Sequence, residues 1–373
     1  MPVTLETVEA KAAAGRRLGR QDGLAILAAR DLAAVGRLAD AARRRLHGLT
    51  AFYVVNTHVN YTNVCINCCR FCAFYRDPSH PEAYLLGPEE VLGRARPDLE
   101  AGATEVHIVG GLHPVVDLDY GLAVLGRLRE AFPQVSIQAF TAVEVAYMAG
   151  RAGLSPAEAL ARLRAAGLTG LPGGGAEIFD PEVRRQICPR KISGRQWLAV
   201  HRAAHALGLP TNATMLYGHI ERPEHRVDHL LALRDLQDET GGFRAFIPLA
   251  FHPHATGYAD LPGPSGWDDL KTIACARLLL DNVPHIKAFW IMLGMDVAQV
   301  ALRFGADDLD GTVMREEITH AAGARTPQRL SVERIEHLIR AAGCEPVERD
   351  TVYRRVVRRP RRAEVTTWTR SDA

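Results

Sequence analysis

The feature that most constrains this 373-residue chain is a regular alternation of short β-rich runs with longer amphipathic stretches. The predicted strands are residues 52–58, 105–109, 136–141, 168–171, 211–217, 244–249 and 286–293. The predicted helices between them cover 88–101, 119–131, 155–166, 193–207, 224–240 and 268–282. Strands that alternate with helices of this length indicate βαβ units and a parallel sheet. Seven repeats and a short eighth strand at 307–311 favour an α/β fold, a full or nearly full (β/α)8 TIM-type barrel, over an open sheet.

Three further segments lie outside these repeats. Residues 1–50 are rich in Ala, Arg and Leu and predict an N-terminal helical segment, after which the barrel covers 51–325. Residues 326–353 predict a C-terminal extension that packs on the barrel, with a helix over 331–342 and a strand over 346–353. Residues 354–373 begin with six arginines in nine positions, and we expect them to form a disordered, solvated tail.

Composition and charge exclude several classes of protein. Hydrophobic residues make up 47% and charged residues 24% of the chain, values typical of globular proteins. The formal net charge of +2 is too balanced to indicate a nucleic-acid partner. No apolar run approaches the roughly 20 residues that a membrane span needs, and the N-terminus has no secretory pattern. We therefore expect a cytoplasmic protein with no membrane span and no nucleic-acid partner.

Four of the seven cysteines are clustered directly after the first predicted strand, at positions 65, 68, 69 and 72. Cys65, Cys69 and Cys72 form a C-x3-C-x2-C pattern, which offers three thiolates to a [4Fe–4S] cluster and leaves one iron open. The same four cysteines also form two abutting C-x2-C pairs, which is a zinc pattern. Zinc ribbons separate their pairs by roughly 15–20 residues, so the abutting pairs favour the iron–sulfur interpretation.

The C-x3-C-x2-C spacing in a loop after the first strand, with Phe71 before the last cysteine, resembles the signature of the radical S-adenosylmethionine (SAM) superfamily. The resemblance implies that Cys65, Cys69 and Cys72 ligate the cluster and that its open iron binds S-adenosylmethionine. An external electron donor of the flavodoxin or ferredoxin type is also implied. Cys68 departs from the family pattern, and we interpret it as a bystander.

Glycines and polar side chains follow the other predicted strands, where a barrel of this kind binds its ligands. Three consecutive glycines precede Glu177, and such a run predicts a tight turn or close contact with a ligand. The candidate cofactor-binding residues are Phe71, Gly110, Gly111, Glu144, Glu177, Gly218 and Ile220. The candidate catalytic residues are Glu177, His252 and Asp310.

The strand-end motifs include His58-x-Asn60-x-Thr62-Asn63-Val64-Cys65, the run 171–177 and the run 307–312. They resemble those of a narrower family, the aminofutalosine synthases of menaquinone biosynthesis. This resemblance implies that S-adenosylmethionine is a substrate whose 5′-deoxyadenosyl radical adds to 3-[(1-carboxyvinyl)oxy]benzoate. The products are 6-amino-6-deoxyfutalosine, methionine and CO2 or bicarbonate. Arg or His side chains are expected to hold the two substrate carboxylates.

Two related families and one unrelated class remain as alternatives at this stage. Cyclic dehypoxanthine futalosine synthases and the deazaflavin-forming synthases share the cluster and the fold with the aminofutalosine synthases. A non-catalytic zinc-binding scaffold is the alternative of another class, and its metal content would distinguish it.

Overall fold

Nine strands, all paired in parallel, organise the computed structural model, which describes residues 3–313 and 315–358. They are Thr50–Val54 (β1), Asn56–Asn60 (β2), Glu105–Val109 (β3), Ser136–Ala139 (β4), Thr211–Tyr217 (β5), Phe243–Ala250 (β6), His285–Ile286 (β7), Asp308–Gly311 (β8) and Glu345–Glu348 (β9). Parallel pairing with intervening helices confirms the predicted α/β class.

Helices connect the strands and precede the first of them. Three come before β1: Leu5–Ala13 (α1), Arg20–Ala28 (α2) and Leu32–His47 (α3). Those between β2 and β6 are Pro88–Glu100 (α4), Leu118–Ala131 (α5), Ala142–Arg151 (α6), Pro156–Ala165 (α7), Pro181–Ile187 (α8), Gly194–Ala206 (α9) and Pro223–Thr240 (α10). The others are Gly266–Leu279 (α11), Trp290–Leu293 (α12), Met295–Ala301 (α13), Ile318–Ala321 (α14) and Val332–Ala341 (α15).

The helix predictions between the strands agree with the structure to within three residues at each end. Capping explains this agreement: Ser155 accepts a hydrogen bond from the Glu158 amide, and the Glu158 carboxylate accepts one from the Ser155 amide. The sequence analysis did not predict α6, α8 or the short helices α12 to α14.

Four strand predictions were wrong in extent. The C-terminal strand, predicted over 346–353, ends at Glu348. The predicted first strand is interrupted at Val55 and continues as β2. The run 168–171 contributes only isolated parallel bridges at Gly170 and Leu171. The run 286–293 was predicted as one strand, but β7 ends at Ile286 and the chain enters α12 at Trp290. Short apolar runs fit a strand or a buried helix equally well, which explains this last error.

The strands form three sheets of three, in the orders β8-β1-β9, β2-β3-β4 and β5-β6-β7. Isolated parallel bridges join neighbouring sheets, from Gln138 to Gly170, from Leu171 to Thr211 and from Lys287 to Asp308. The register pairs His58 with His107 and His107 with Gln138, so three polar residues lie in one row across β2, β3 and β4.

The C-terminal strand β9 pairs with β1 and fastens the end of the described chain to β8. Arg349, just after β9, donates a hydrogen bond from Nε to Asp308 Oδ2 at 2.6 Å, and Tyr353 donates to the same oxygen at 2.6 Å. Arg358 pairs with Glu348, which fixes the first residues of the predicted tail. The rest of that predicted tail, 359–373, lies outside the described residues. Among the described helices, none is long and apolar enough to cross a membrane.

Candidate functional site

A cavity of about 320 Å³ lies where the carboxyl ends of the strands meet the cysteine-bearing loop. Strand and strand-end residues line it from several sides, and the loop after β2 covers it. Ten of the predicted site residues line this cavity: Cys65, Cys69, Phe71, Cys72, Gly110, Gly111, Glu144, Glu177, His252 and Asp310. The structure therefore brings most of the predicted site together.

Three of the four thiols in the cysteine loop face the cavity, and the fourth does not. Cys65, Cys69 and Cys72 line the cavity, whereas Cys68 does not. The Cys68 thiol instead donates to the carbonyl oxygens of Cys65, at 3.5 Å, and Ile66, at 3.7 Å. Three free thiols that face one cavity fit a cluster with three protein ligands, and they do not form the four-thiolate set of a zinc ribbon.

Burial determines the chemistry of these thiols. It raises the pKa of Cys69 to about 12 and also raises the pKa of Cys72. Thiols in such surroundings stay protonated unless a metal stabilises the thiolate, so ligation must release their protons.

Glu144 and the glycine pair after β3 form the wall next to the loop. Glu144 Oε1 accepts hydrogen bonds from the Tyr61 hydroxyl at 2.9 Å and the Gly110 amide at 3.1 Å. Its burial raises the pKa of Glu144 to about 7. A Cβ atom at Gly111 would collide with the carbonyl of Val64, so this glycine lets the strand end approach the cysteine loop.

Lys191 and Glu177 form an ion pair beside the cysteines, with Lys191 Nζ 2.6 Å from Glu177 Oε1. The ammonium also lies 5.1 Å from the centre of the Phe71 ring. Burial alone would lower the pKa of Lys191, but Cys69 and Glu177 raise it, so the ammonium stays charged. Glu177 has a φ of 49°, a conformation that is strained for a residue other than glycine.

The three glycines before Glu177 are explained by backbone packing. Gly173 and Gly175 have φ values of 89° and 84°, in the region that favours glycine. A Cβ at Gly173 would collide with the Asn212 carbonyl on β5, and one at Gly175 would collide with the Val143 side chain. The glycine run therefore forms the tight turn that the sequence predicted and delivers Glu177 to the cavity.

The inner part of the cavity contains polar atoms that lack a protein partner. His107 Nδ1 lies 3.3 Å from His58 Nε2, and burial lowers the pKa of both imidazoles. Among the described residues, His107 Nε2, Gln138 Oε1 and Asn60 Oδ1 are buried and make no hydrogen bond. Buried polar atoms without partners are rare in folded proteins, and here they face a cavity that can hold a polar ligand.

Near this row, Lys287 and Asp310 form a second buried ion pair. Lys287 Nζ donates to Asp310 Oδ1 at 3.0 Å. Burial would raise the pKa of Asp310, but Lys287 and Arg349 lower it, so the carboxylate stays charged. The backbone amide of Asp310 donates to Asp308, which links this pair to the C-terminal segment. His252 also lines the cavity, and its Nε2 lies 2.9 Å from the carbonyl oxygen of Met292.

Two predicted cofactor contacts, Gly218 and Ile220, are not among the cavity residues. The loop that carries them is fixed by Glu221, whose Oε1 accepts from the Gly218 amide at 2.6 Å and pairs with Arg226. Tyr217 likewise points away, since its hydroxyl donates to Asp269 at 2.6 Å.

Several residues that line the cavity were not among the predicted site residues. They are Asn56, His58, Asn60, Glu105, His107, Gln138, Lys191, Lys287 and Glu316. The strand residues among them follow the period-two alternation that places every second side chain on one face of a sheet. This alternation is the sequence signal that could have predicted them. Arginine or histidine was expected at the substrate carboxylates. Histidines line the cavity, but no arginine is among the described lining residues, and the cationic side chains there are Lys191 and Lys287.

Comparison with known proteins adds independent findings. Residues 59–233 match the radical SAM superfamily, and residues 240–361 match the CofH/MqnC C-terminal region. The chain is 45% identical over 363 residues to an aminodeoxyfutalosine synthase of Thermus thermophilus, covering 96% of this chain and 95% of the relative. It is also 45% identical over 324 residues to a 5-amino-6-(D-ribitylamino)uracil–L-tyrosine 4-hydroxyphenyl transferase of Methanopyrus kandleri, covering 86% and 88%.

A solved structure shows the same fold at lower sequence similarity. Methylornithine synthase superposes with a TM-score of 0.73 at 18% identity, covering 91% of this chain and 97% of that chain. At this identity the likeness concerns the fold alone.

Proposed function

The chain belongs to the radical SAM superfamily and, by its C-terminal region, to the CofH/MqnC group, and on this premise we propose that it is an aminodeoxyfutalosine synthase of menaquinone biosynthesis. The proposed transferase reaction joins the 5′-deoxyadenosyl group of S-adenosylmethionine to 3-[(1-carboxyvinyl)oxy]benzoate. It yields 6-amino-6-deoxyfutalosine, methionine and CO2 or bicarbonate. The observation that carries this proposal is the similarity to aminodeoxyfutalosine synthase over almost the whole chain.

Cys65, Cys69 and Cys72 are the proposed ligands of one [4Fe–4S] cluster with an open iron. When bound, the cluster supplies the single electron that cleaves the sulfonium of S-adenosylmethionine. A small external electron carrier, of the flavodoxin or ferredoxin type, is the proposed source of that electron. Because these thiols must stay reduced to bind iron, we expect the enzyme to work in the cytoplasm.

The wall of the cavity next to the cysteines is the proposed site for S-adenosylmethionine. Gly110 and Gly111 present backbone groups there, and Glu144 is a buried carboxylate that can accept from an ammonium group. Phe71 and Glu177 flank the same space. Gly218 and Ile220 stay proposed adenine contacts, and they require the cofactor to extend beyond the described cavity lining.

The inner part of the cavity is the proposed site of the second substrate. Lys287, His58 and His107 can donate to a carboxylate, and the unpartnered amide of Gln138 lies in the same row. Glu177 and His252 are proposed to contact the reacting molecules from the cysteine side. Asp310 is proposed to act by holding Lys287, since its carboxylate is occupied by that ammonium.

A closed (β/α)8 barrel is the proposed arrangement of the strands. The isolated bridges between the three sheets support closure, together with the pairing of β8 with β1. Such a barrel would open the cavity at its carboxyl-terminal face, where ligand sites of this architecture lie.

A second candidate function has direct support from the comparisons. The 4-hydroxyphenyl transferase of Methanopyrus kandleri is 45% identical to this chain, as is the synthase of Thermus thermophilus, but over a smaller share of the chain. The absence of arginine from the described lining also fits a tyrosine and a ribitylaminouracil, which carry fewer negative charges than a dicarboxylate. Cyclic dehypoxanthine futalosine synthase stays the third alternative. Measurement of the bound zinc tests the remaining alternative, a non-catalytic zinc-binding scaffold.

Parallel anaerobic incubations of the reconstituted enzyme distinguish these candidates. One contains S-adenosylmethionine, a reductant and 3-[(1-carboxyvinyl)oxy]benzoate, and the other replaces the benzoate with L-tyrosine and 5-amino-6-(D-ribitylamino)uracil. Mass spectrometry should find 6-amino-6-deoxyfutalosine in the first and no coupled product in the second. The reverse result would move the chain to the hydroxyphenyl transferases.

A further inference from the structure

The cysteine loop has an outer face as well as the inner face that lines the cavity. Cys65, Cys69 and Phe71 contribute to the cavity lining. Ile66 and Arg70 do not, and both side chains are exposed to solvent. The loop is therefore a single layer of chain between the proposed cluster site and the solvent.

Two other segments are joined to this outer face by hydrogen bonds. The Arg70 amide donates to the carbonyl of Ile187 at 2.9 Å, and Arg190 donates to the carbonyl of Ile66 at 3.3 Å. From the third segment, Tyr258 donates its hydroxyl proton to the carbonyl of Gln186 at 3.1 Å and lies under the Arg70 guanidinium at 4.8 Å. These contacts place three loops side by side on one surface.

The three loops carry basic side chains and almost no acidic ones. Residues 65–76, 183–195 and 251–259 contain no Asp or Glu. We call the exposed set Ile66, Arg70, Arg185, Gln186 and Arg190, with the half-buried Tyr258, the basic face. Among the described residues, Arg70 and Arg190 have no carboxylate partner, whereas Arg185 pairs with Glu182 at the edge. Asp260, two residues after Tyr258, is the nearest acidic position along the third loop.

We propose that the basic face is the docking surface for an acidic one-electron carrier protein. This inference rests on the proposed function, because that function requires an electron from outside the chain. The carrier loses one electron and the cluster gains it, and no atom is transferred. Positive charge around the exposed Ile66 steers a negatively charged partner to the loop that carries the proposed cluster ligands.

Charge reversal at two positions tests the docking surface. The test variant is Arg70→Glu with Arg190→Glu. The matched control is Arg37→Glu with Arg45→Glu on α3, which changes the net charge equally at two exposed arginines. The neutral pair Arg70→Gln with Arg190→Gln is the second test variant, and it replaces the reversal pair if that pair does not fold. Each is titrated calorimetrically with oxidised flavodoxin, as the acidic carrier, at low and high ionic strength.

The expected result is selective and depends on salt. The reversal pair should weaken flavodoxin binding at least tenfold at low ionic strength, the neutral pair should weaken it less, and the control should match the parent chain. The difference should shrink at high salt, because exposed charges are screened. In the reversal pair, reduced flavodoxin should also reduce the cluster more slowly, whereas the rate of reduction by dithionite should not change. Electron paramagnetic resonance measures both rates.

Equal flavodoxin binding by the reversal pair and the control would overturn the proposal. Binding of duplex DNA or anionic vesicles to this face, with no binding of flavodoxin, would also overturn it. No substrate is present in either measurement, so the outcome does not depend on which reaction the enzyme catalyses. A chain that binds no iron on reconstitution contradicts the proposed function instead, while the titration still decides whether the face binds the carrier.

Discussion

Lys191 Nζ lies 2.6 Å from Glu177 Oε1, and this ion pair joins two loops that are separated by the whole of α8. Glu177 reaches the cavity from the glycine turn, and Lys191 reaches it from the segment that precedes α9. The pair also lies beside Cys69, so it connects the predicted cofactor site to the cysteine loop. A loss of the carboxylate charge should therefore affect the site more than the fold.

The variant Glu177→Gln should lower turnover about tenfold or more. One charge-assisted hydrogen bond contributes roughly 1.5–3 kcal/mol, and Gln keeps the shape of the side chain. Iron content and the circular dichroism spectrum should stay unchanged, and the affinity for S-adenosylmethionine should fall. The exposed Glu182→Gln is the matched control. Parent-like affinity and rate in Glu177→Gln would contradict the assignment.

Three of the four clustered cysteines should be required for iron binding, and the fourth should not. Alanine at Cys65, Cys69 or Cys72 should abolish the cluster, because each of these thiols faces the cavity. Cys68→Ala should keep it, since the Cys68 thiol is directed to carbonyls of its own loop. Iron analysis and the visible absorption spectrum after anaerobic reconstitution measure this. Loss of iron in Cys68→Ala equal to that in the other three would contradict the prediction.

Much of this site could be predicted from sequence because its signals are local. The spacing of the cysteines, the period-two alternation in β2 and β3 and the turn of Gly173–Gly175 are each encoded within about a dozen residues. The position of Cys68 was anticipated because only three of the four cysteines fit the cluster spacing. Helix ends were predicted well for the same reason, since caps such as Ser155 and Glu158 are neighbours in sequence.

The features that escaped prediction depend on contacts between distant residues. Nothing near Lys191 or Lys287 in the sequence indicates that Glu177 and Asp310 will pair with them. The end of β7 at Ile286 also depends on tertiary structure, since Trp290 turns its indole N–H to the carbonyl of Gly311 on β8. The pairing of β9 with β1 joins segments almost 300 residues apart, and no local pattern reports it.

Arg349 should be important for stability. Its buried guanidinium is held by Asp308, so Arg349→Met leaves a buried carboxylate without its cation and should lower the free energy of unfolding by roughly 3–5 kcal/mol. Arg354→Met breaks an exposed pair with Asp350 and should cost about 0–1 kcal/mol. Urea titrations measure both. The double variant Arg349→Met with Asp308→Asn should recover part of the loss, and equal costs for the two single variants would contradict the assignment.

Stability should fall as the pH drops from 7 towards 4. Burial lowers the pKa of His205 to about 4 and that of His229 to about 3, so both are neutral when folded and take up protons on unfolding below about pH 6.5. The stabilising contribution of these two histidines is present above pH 6.5, and it is lost as the pH falls towards their pKa values in the folded chain. His205→Gln removes one of these groups. It should therefore reduce the slope of the free energy of unfolding against pH by up to about 1.4 kcal/mol per pH unit, which corresponds to one proton. An unaltered slope in His205→Gln would contradict the prediction.

The fate of the adenosyl group is the sharpest test of the proposed reaction. Addition of the radical to the enol-ether carbon retains the adenosyl skeleton in the main product, whereas hydrogen abstraction releases it as 5′-deoxyadenosine. Geometry alone suppresses abstraction, and a misplacement of ~1 Å can cost on the order of a hundredfold in rate. The second substrate must therefore be held firmly, which the inner row of His58, His107 and Gln138 and the neighbouring Lys287 can do. With S-adenosylmethionine carrying carbon-13 in its adenosyl group, the label should appear in a product that also contains the benzoate ring. If all of the label is recovered in 5′-deoxyadenosine, with the enol-ether benzoate present and the cluster intact, the chain performs hydrogen abstraction and the addition reaction must be abandoned.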